Sequence, residues 1–452
     1  MVNRSSGRPR VVVSADGTGV AAHAGSRLLA DMADVVGLTD GLSAAMASTR
    51  RRRSAHDPGR VLVDLAVTAA DGGTSLSDLK VLRDQPELFG AVASDPTAWR
   101  VLDSIDATVL AAIDEARAEA RAAAWAAGAR PPAGCIVLDF DATLVTSHSD
   151  KAAAAPNYKH GFGFHPLLCF VDATNDAVAG LLRPGNAGSN TAADHIAVLD
   201  AALAQLPVKT RRVDPTGGET MLARADSAGA THDFLDALRQ RGLEFSIGFP
   251  MDEAVRQAIL GLPKKAWREA IRQDCEIRDG AEVAEITGRL DLSGWPAGTR
   301  AIVRREEPHP GAQLSFSDID GHRFQVFICD STDADLAYLE ARHRGHARVE
   351  DRIRNAKQTG LMNFPCHDFA NNQAWLAVVL MACDLLAWTQ KLTLQGELAA
   401  AEPKRLRYCL LHTAGRIARS GRRTRLRIQA NWPWADQLTT AFGHIHDLQL
   451  RT

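Results

Sequence analysis

Between Arg130 and Phe249 the apolar residues come in five short runs, and their order restricts the fold more than any other feature of the chain. "CIVLDFDA", "HPLLCFVDAT" and "DAVAGLLR" follow one another with only polar or glycine turns between them. "ETMLARADS" and "LEFSIGFP" come later, each after a helical stretch. Short apolar runs bounded by turn residues read as strands. "SNTAADHIAVLDAALAQL" has helical spacing behind Ser189 or Asn190 as a cap, and "THDFLDALRQRG" is a helix that Gly242 ends. Three strands in succession, then helix, strand, helix, strand, imply a mixed α/β sheet.

The flanks have a different character. From about residue 20 to 130 the chain reads as helices, ending in the alanine-rich "DSIDATVLAAIDEARAEARAAAWAAGA". "RPPAG" at 130–134 stops that helix, because proline cannot continue it. "CEIRDGAEVAEITGRL", "GTRAIVRREE" and "HRFQVFICD" alternate with glycine turns and suggest a β-rich insertion; beyond Asp335 the pattern is helical again. The expected layout is a helical N-terminal domain (1–130), the first part of an α/β core (131–251), a β-rich insertion (252–330), core helices (331–400) and a basic helical C-terminal segment (401–452).

Charge and cysteine usage narrow the classes further. The net charge is only -2, so any polyanion must be met by local clusters. Arg50 to Arg53 are consecutive. Between Glu402 and Asp436 there is no acid, while Lys404, Arg405, Arg407, Arg416, Arg419, Arg422, Arg423, Arg425 and Arg427 fall there. So many like charges repel one another unless a polyanion is near, which favours DNA. The 7 cysteines are scattered without a C-x-x-C pair, as suits reduced thiols in a cytoplasmic protein. His343 and His346 lack the i, i+4 spacing of the commonest helical zinc pair, so no structural zinc site is expected. The stretch "LAVVLMACDLLAW" (376–388) is broken by Asp384 and too short to span a bilayer, so no membrane segment is expected. Trp295 in the insertion reads as a small-core residue.

"LDFDAT" delivers Asp139 and Asp141 to the end of the first strand, and two chemistries use such a device. In a haloacid-dehalogenase-like phosphohydrolase Asp139 would attack phosphorus and Asp141 would serve as general acid and base around Mg²⁺, with Asp330 and Asp333 as further ligands. Alternatively Asp141 acts with Asp226, at the end of the fourth strand, and Glu350, within "HRGHARVEDRIRNAK". Two strand-end aspartates and one helix-borne glutamate can hold two Mg²⁺ ions for phosphodiester chemistry. Asp351 is the neighbouring competitor of Glu350. The surrounding Arg342, Arg344, Arg348, Arg352 and Arg354 fit a solvated helix face or a grip on a DNA backbone.

These stretches resemble a family, the bacterial DDE transposases of insertion sequences whose RNase H-like core is split by a β-rich insertion before the glutamate. "LDFDAT", "HGFGFHPLLCFVDAT", "LRPGNAGSNTAADH", "ARADSAG", and "ARSGRRTRLRI" with "WPWADQL" carry the resemblance over about residues 130 to 435. Its glutamate motif has tyrosine and arginine where this chain has His343 and His346, with Glu350 and Lys357 at the same spacing. The resemblance implies Mg²⁺-dependent cleavage at element ends and transfer of a 3′-OH into target DNA, with Mn²⁺ as a substitute metal. Asp141, Asp226 and Glu350 would hold the metal, Asp139 being the secondary candidate. DNA contacts would come from Arg183, His343, His346, Arg354, Lys357, Arg422, Arg423 and Arg425. Terminal inverted repeats and target would be the double-stranded partners, met by a homodimer through the N-terminal helices. A third reading is a DNA-binding remnant without catalysis.

Overall fold

The computed structural model describes residues 11–50, 55–188, 191–207, 220–308, 321–421 and 423–449. Arg51 to Arg53, Ser189, Asn190 and Arg422, singled out above, lie outside them. Arg50 is described and pairs with Asp57.

The chain begins with a two-residue strand β1 (Val20–Ala21) and helices α1 (Arg27–Val35), α2 (Leu38–Ala45) and α3 (Pro58–Ala70). Pro58 opens α3 where a missing N–H costs nothing, and Asp57 accepts from the Arg60 amide as its cap. The alanine-rich helix α4 (Ala107–Ala124) closes this part.

The five expected strands follow as β2 (Cys135–Ala142), β3 (Leu167–Val171), β4 (Ala177–Leu181), β5 (Thr220–Ala225) and β6 (Glu244–Phe249). Helix α5 (Ala192–Gln205) precedes β5, and α6 (His232–Gln240) precedes β6. Gly242, at φ 76°, takes the left-handed turn that ends α6. β2, β3 and β4 are antiparallel neighbours, while β5 pairs parallel to β2 and β6 parallel to β5. Three antiparallel strands with two parallel strands added beside the first form an RNase H-like sheet.

The insertion contributes β7 (Arg268–Ile271), β8 (Ile277–Glu285), β9 (Arg300–Glu306) and β10 (Arg323–Cys329). It does not stand apart. β10 pairs antiparallel with β6, so all 9 strands form one sheet in the order β7-β8-β9-β10-β6-β5-β2-β3-β4. Helix α7 (Leu336–Arg344) covers the added strands through a small apolar cluster including Val283, Ile302, Phe327 and Leu339. Trp295 stacks on His232 at 4.2 Å and packs against the core, as expected of a core residue.

After α7, helix α8 (Arg348–Ala356) carries Glu350, and α9 (Phe369–Thr393) runs through the centre. By length and composition α9 passes for a membrane span, yet 78% of its most apolar window is buried inside the protein. Asp384 interrupts that apolar run because it is a fully buried counterion: it accepts from Arg121 at 2.6 Å, Arg117 at 3.1 Å and the Ala177 amide at 2.9 Å. α3 lies against α9, and one apolar core runs from Ala21 to Ile445, so the N-terminal helices share their core with the sheet and the C-terminal helix α10 (Ala435–Gln449).

The C-terminal basic segment departs from expectation. It is largely a hairpin, β11 (Gly415–Ser420) and β12 (Arg423–Ile428), before α10. The alternation explains this: Ile417, Leu426 and Ile428 share one face, and Arg416, Arg423, Arg425 and Arg427 the other. That period of two belongs to strands. Gly421, at φ 60°, makes the turn, and β1 pairs with β11, Val20 opposite Arg416.

Candidate active site

Asp139 and Asp141 lie two residues apart on β2 and so share a face of the sheet. On the neighbouring parallel strand Arg224 stands opposite Asp139, and Asp226 follows one residue beyond the last pair, Phe140 with Ala225. The register thus sets Arg224 beside Asp139 and Asp226 beside Asp141 at the carboxyl end of both strands. Parallel strands bring ligands to that end, and β2 is where the sheet changes from antiparallel to parallel pairing.

The two aspartates of the opening motif have separate environments. Asp139 is fully buried and clamped by Arg224, with Nε to Oδ1 at 2.7 Å and Nη2 to Oδ2 at 2.8 Å; His346 Nδ1 lies 3.0 Å from Oδ1. Arg224 also reaches Asp172, which Arg348 Nε approaches at 2.9 Å and Arg352 Nη2 at 2.6 Å. This network pins α8, the helix of Glu350, onto the end of the sheet. An aspartate so enclosed has no free oxygen to attack phosphorus. The second set of phosphohydrolase ligands is also misplaced: Asp330 accepts from the Phe245 amide at 2.9 Å and pairs with Arg239, toward the opposite end of β6 from Asp226. The phosphohydrolase reading is therefore corrected, and two of the arginines on α8 that looked like a solvated face or a phosphate grip, exposed Arg348 and buried Arg352, tether the helix to Asp172.

Asp141 is half-buried, and its carboxyl is pushed up to about 6. Burial is the main cause; His346 opposes the rise, and the negative charges of Asp226 and Glu350 add to it. The three acids thus sit within electrostatic reach of one another. Asp226 is exposed, and its side chain accepts from the Ala228 amide at 3.0 Å. Glu350 is exposed on the first turn of α8. The three carboxylates do not close to within 4.8 Å as a group, a condition that among the described residues only His23, Asp71 and His412 meet. Oxygen donors carrying unbalanced negative charge are the donor set that suits a hard divalent cation.

The other expected contacts divide. Lys357 Nζ bonds the Leu144 carbonyl at 3.1 Å and lies close enough to Asp141 to feel its charge. His346 touches Asp139 and influences Asp141. His343 does not face a phosphate site: its ring stacks on Phe327 at 4.3 Å, and Nδ1 meets Ser246 Oγ at 2.9 Å. Arg183 is buried and donates to the His165 and Gly188 carbonyls and to Asp194, so it shapes the turn before α5 and is not on the surface where a DNA contact was expected. Arg354 is exposed but paired with Glu402 and with Asp351, which accounts for the competing acid. Arg423 and Arg425 are exposed on the hairpin. Arg224 and Asp172 escaped the sequence reading; an arginine inside the apolar run "MLARA" was the available signal, since a buried charge needs a partner.

Burial, helped by the positive charges of His346 and Arg224, pushes His343 down to about 3. An unfolded histidine titrates at roughly 6.5. The folded chain thus refuses a proton that the unfolded chain accepts, so this contribution to stability is intact above about pH 6.5 and is lost as pH falls toward 3. His343→Gln is expected to flatten the decline in melting temperature between about pH 7 and 5; an unaltered slope would contradict the assignment.

The sequence profile of the transposase DDE domain, group 1, matches residues 3–450. No match is found among curated proteins. Among solved structures, the chain is similar to the cryo-EM structure of the piggyBac transposase synaptic complex with hairpin DNA, at 11% identity and TM-score 0.43, covering 85% of this chain and 80% of that one.

Proposed function

Because the chain belongs to the family of the transposase DDE domain, group 1, and is a DDE transposase, we propose that Asp141, Asp226 and Glu350 are its catalytic acids, acting on double-stranded DNA at the element's terminal inverted repeats. The observation that carries this reading is the register that sets Asp226, at the end of β5, beside Asp141, at the end of β2, with Glu350 on α8 near enough for its charge to act on Asp141. A bound Mg²⁺ pair, replaceable by Mn²⁺, would activate the attacking water or 3′-OH and stabilise the leaving oxygen. Asp141 and Asp226 would hold it from the sheet, and Glu350 from α8. A divalent cation would relieve their mutual repulsion. Lys357 and His346, at the rim of the acids, would position phosphate oxygens. Cutting both ends together calls for a homodimer on the DNA. The test is nicking and strand transfer on DNA carrying the inverted repeats with Mg²⁺ or Mn²⁺; a wild type inert under both metals yet retaining DNA binding would instead support the catalytically silent remnant.

The arginine face of the hairpin is the DNA surface we favour. Arg416, Arg423, Arg425 and Arg427 project from a two-stranded ribbon with Ala418 and Ser420 between them, and a ribbon of this kind fits the major groove. Neutralising a phosphate releases counterions, so Arg425→Gln should weaken binding to all sequences alike and lower the slope of log affinity against log salt by roughly 0.9 for each phosphate left without its cation. Fluorescence anisotropy between about 50 and 200 mM salt measures it. An unchanged slope would remove Arg425 from the interface.

A further inference from the structure

Three side chains far apart in sequence meet away from the acids. His23 precedes α1, Asp71 caps the C-terminal end of α3, and His412 follows the helical turn Arg407–Leu411. His23 Nδ1 lies 2.6 Å from Asp71 Oδ2, and His412 Nε2 lies 3.2 Å from Asp71 Oδ1. All three donor atoms fall within 4.8 Å of one another, and the two imidazoles lie 4.0 Å apart between centroids with their planes tilted by 38°. We propose that His23, Asp71 and His412 bind a borderline divalent transition cation, Zn²⁺ being the reference case, at a site distinct from the catalytic acids.

The geometry supports this on several counts. In a tetrahedral site with bonds of about 2.0–2.1 Å, donor atoms stand roughly 3.3 Å apart, so the observed spacings need only small adjustments to admit an ion. Two imidazole nitrogens and one carboxylate oxygen form a set that suits zinc better than magnesium. Ser26 Oγ donates to Asp71 Oδ1 at 2.5 Å and so orients the carboxylate, as supporting groups do around metal ligands. His23 adopts a left-handed backbone, φ 50°, an arrangement a non-glycine residue holds only where its surroundings enforce it. The C-terminal end of α3 adds negative potential at Asp71. Access exists, because His412 borders a cleft that Lys404, Arg407, Tyr408, Gln429 and Trp432 also line.

The location suggests what such an ion does. Ala21 of β1 pairs with Gly415 of β11, and these residues lie just beyond His23 and His412. The ion would join the base of the arginine hairpin to the end of α3.

The full-length protein, stripped with chelator and titrated with Zn²⁺ by calorimetry, tests the site. The expected result is about one Zn²⁺ per chain and a melting temperature several degrees higher with the ion, because a ligand that binds only the folded state stabilises it. His412→Gln, at the half-exposed edge of the cluster, should lose both effects while melting like the wild type in chelator, whereas Glu350→Gln should keep both. Asp71→Asn should also lose binding; should it fail to fold, His412→Gln decides alone. Absence of Zn²⁺ binding by the wild type, or equal binding by wild type and His412→Gln, overturns the proposal and leaves the cluster a hydrogen-bonded junction.

Discussion

Asp226→Asn is expected to abolish strand cleavage while leaving the protein as stable as before. The asparagine keeps the size of the side chain and an oxygen that can still accept from the Ala228 amide, so the turn after β5 is preserved. What it removes is the charge that would hold metal beside Asp141. Metal stabilisation of phosphoryl transfer amounts to several kcal/mol, and each 1.36 kcal/mol is tenfold in rate, so the loss should be on the order of 10³-fold or more. Glu350→Gln, equally exposed, should behave alike. Asp141→Asn should be as inactive but no less stable near neutral pH. The folded Asp141 carboxyl is raised to about 6, so its contribution to stability is lost as pH rises through that value, and the substitution removes this cost. Nicking assays on inverted-repeat DNA, paired with thermal melts, read both quantities. Wild-type activity persisting in Asp226→Asn or Glu350→Gln would eliminate the triad.

The largest effect on stability should come from Arg224→Met. Arg224 is the bidentate partner of fully buried Asp139 and bonds the Arg342 carbonyl at 2.7 Å. Removing one partner of a buried ion pair leaves an uncompensated charge, at a cost of about 3–5 kcal/mol. Urea denaturation would show it. Arg224→Met combined with Asp139→Leu should recover much of the loss, since exchanging a whole buried pair for apolar groups is often near neutral. If the double variant is no better than Arg224→Met, Asp139 is not the charge left stranded. Activity should fall even where the double variant folds, because the network that fixes α8, and with it Glu350, also runs through Arg224.

The sequence exposed what depends on local period and concealed what depends on meeting across the chain. Five strands, two helices and the β-rich insertion were legible because apolar spacing and glycine turns are local signals. Asp139 and Asp141 look equivalent in "LDFDAT", and only Arg224, arriving 85 residues later, makes Asp139 a structural anion and leaves Asp141 outside its clamp. His343 shares a spacing with Glu350 and Lys357, yet Phe327 from the insertion encloses it, a packing partner no helical stripe reveals. The hairpin was misread because its density of arginine drew attention from its alternation. Ligands as scattered as His23, Asp71 and His412 carry no spacing signature at all.

The pairing of Val20 with Arg416 also sets an order of events during synthesis. Contacts between remote parts of a chain form late, since the intervening loop must be closed first. On the ribosome, Asp141, Asp226 and Glu350 all emerge before Arg416 exists, and the sheet that carries the two aspartates can pair in their presence. The hairpin can seat itself on β1 only afterwards. A nascent chain therefore holds Asp141, Asp226 and Glu350, the acids we propose as catalytic, before it holds the arginine face of the hairpin that we propose as the DNA surface.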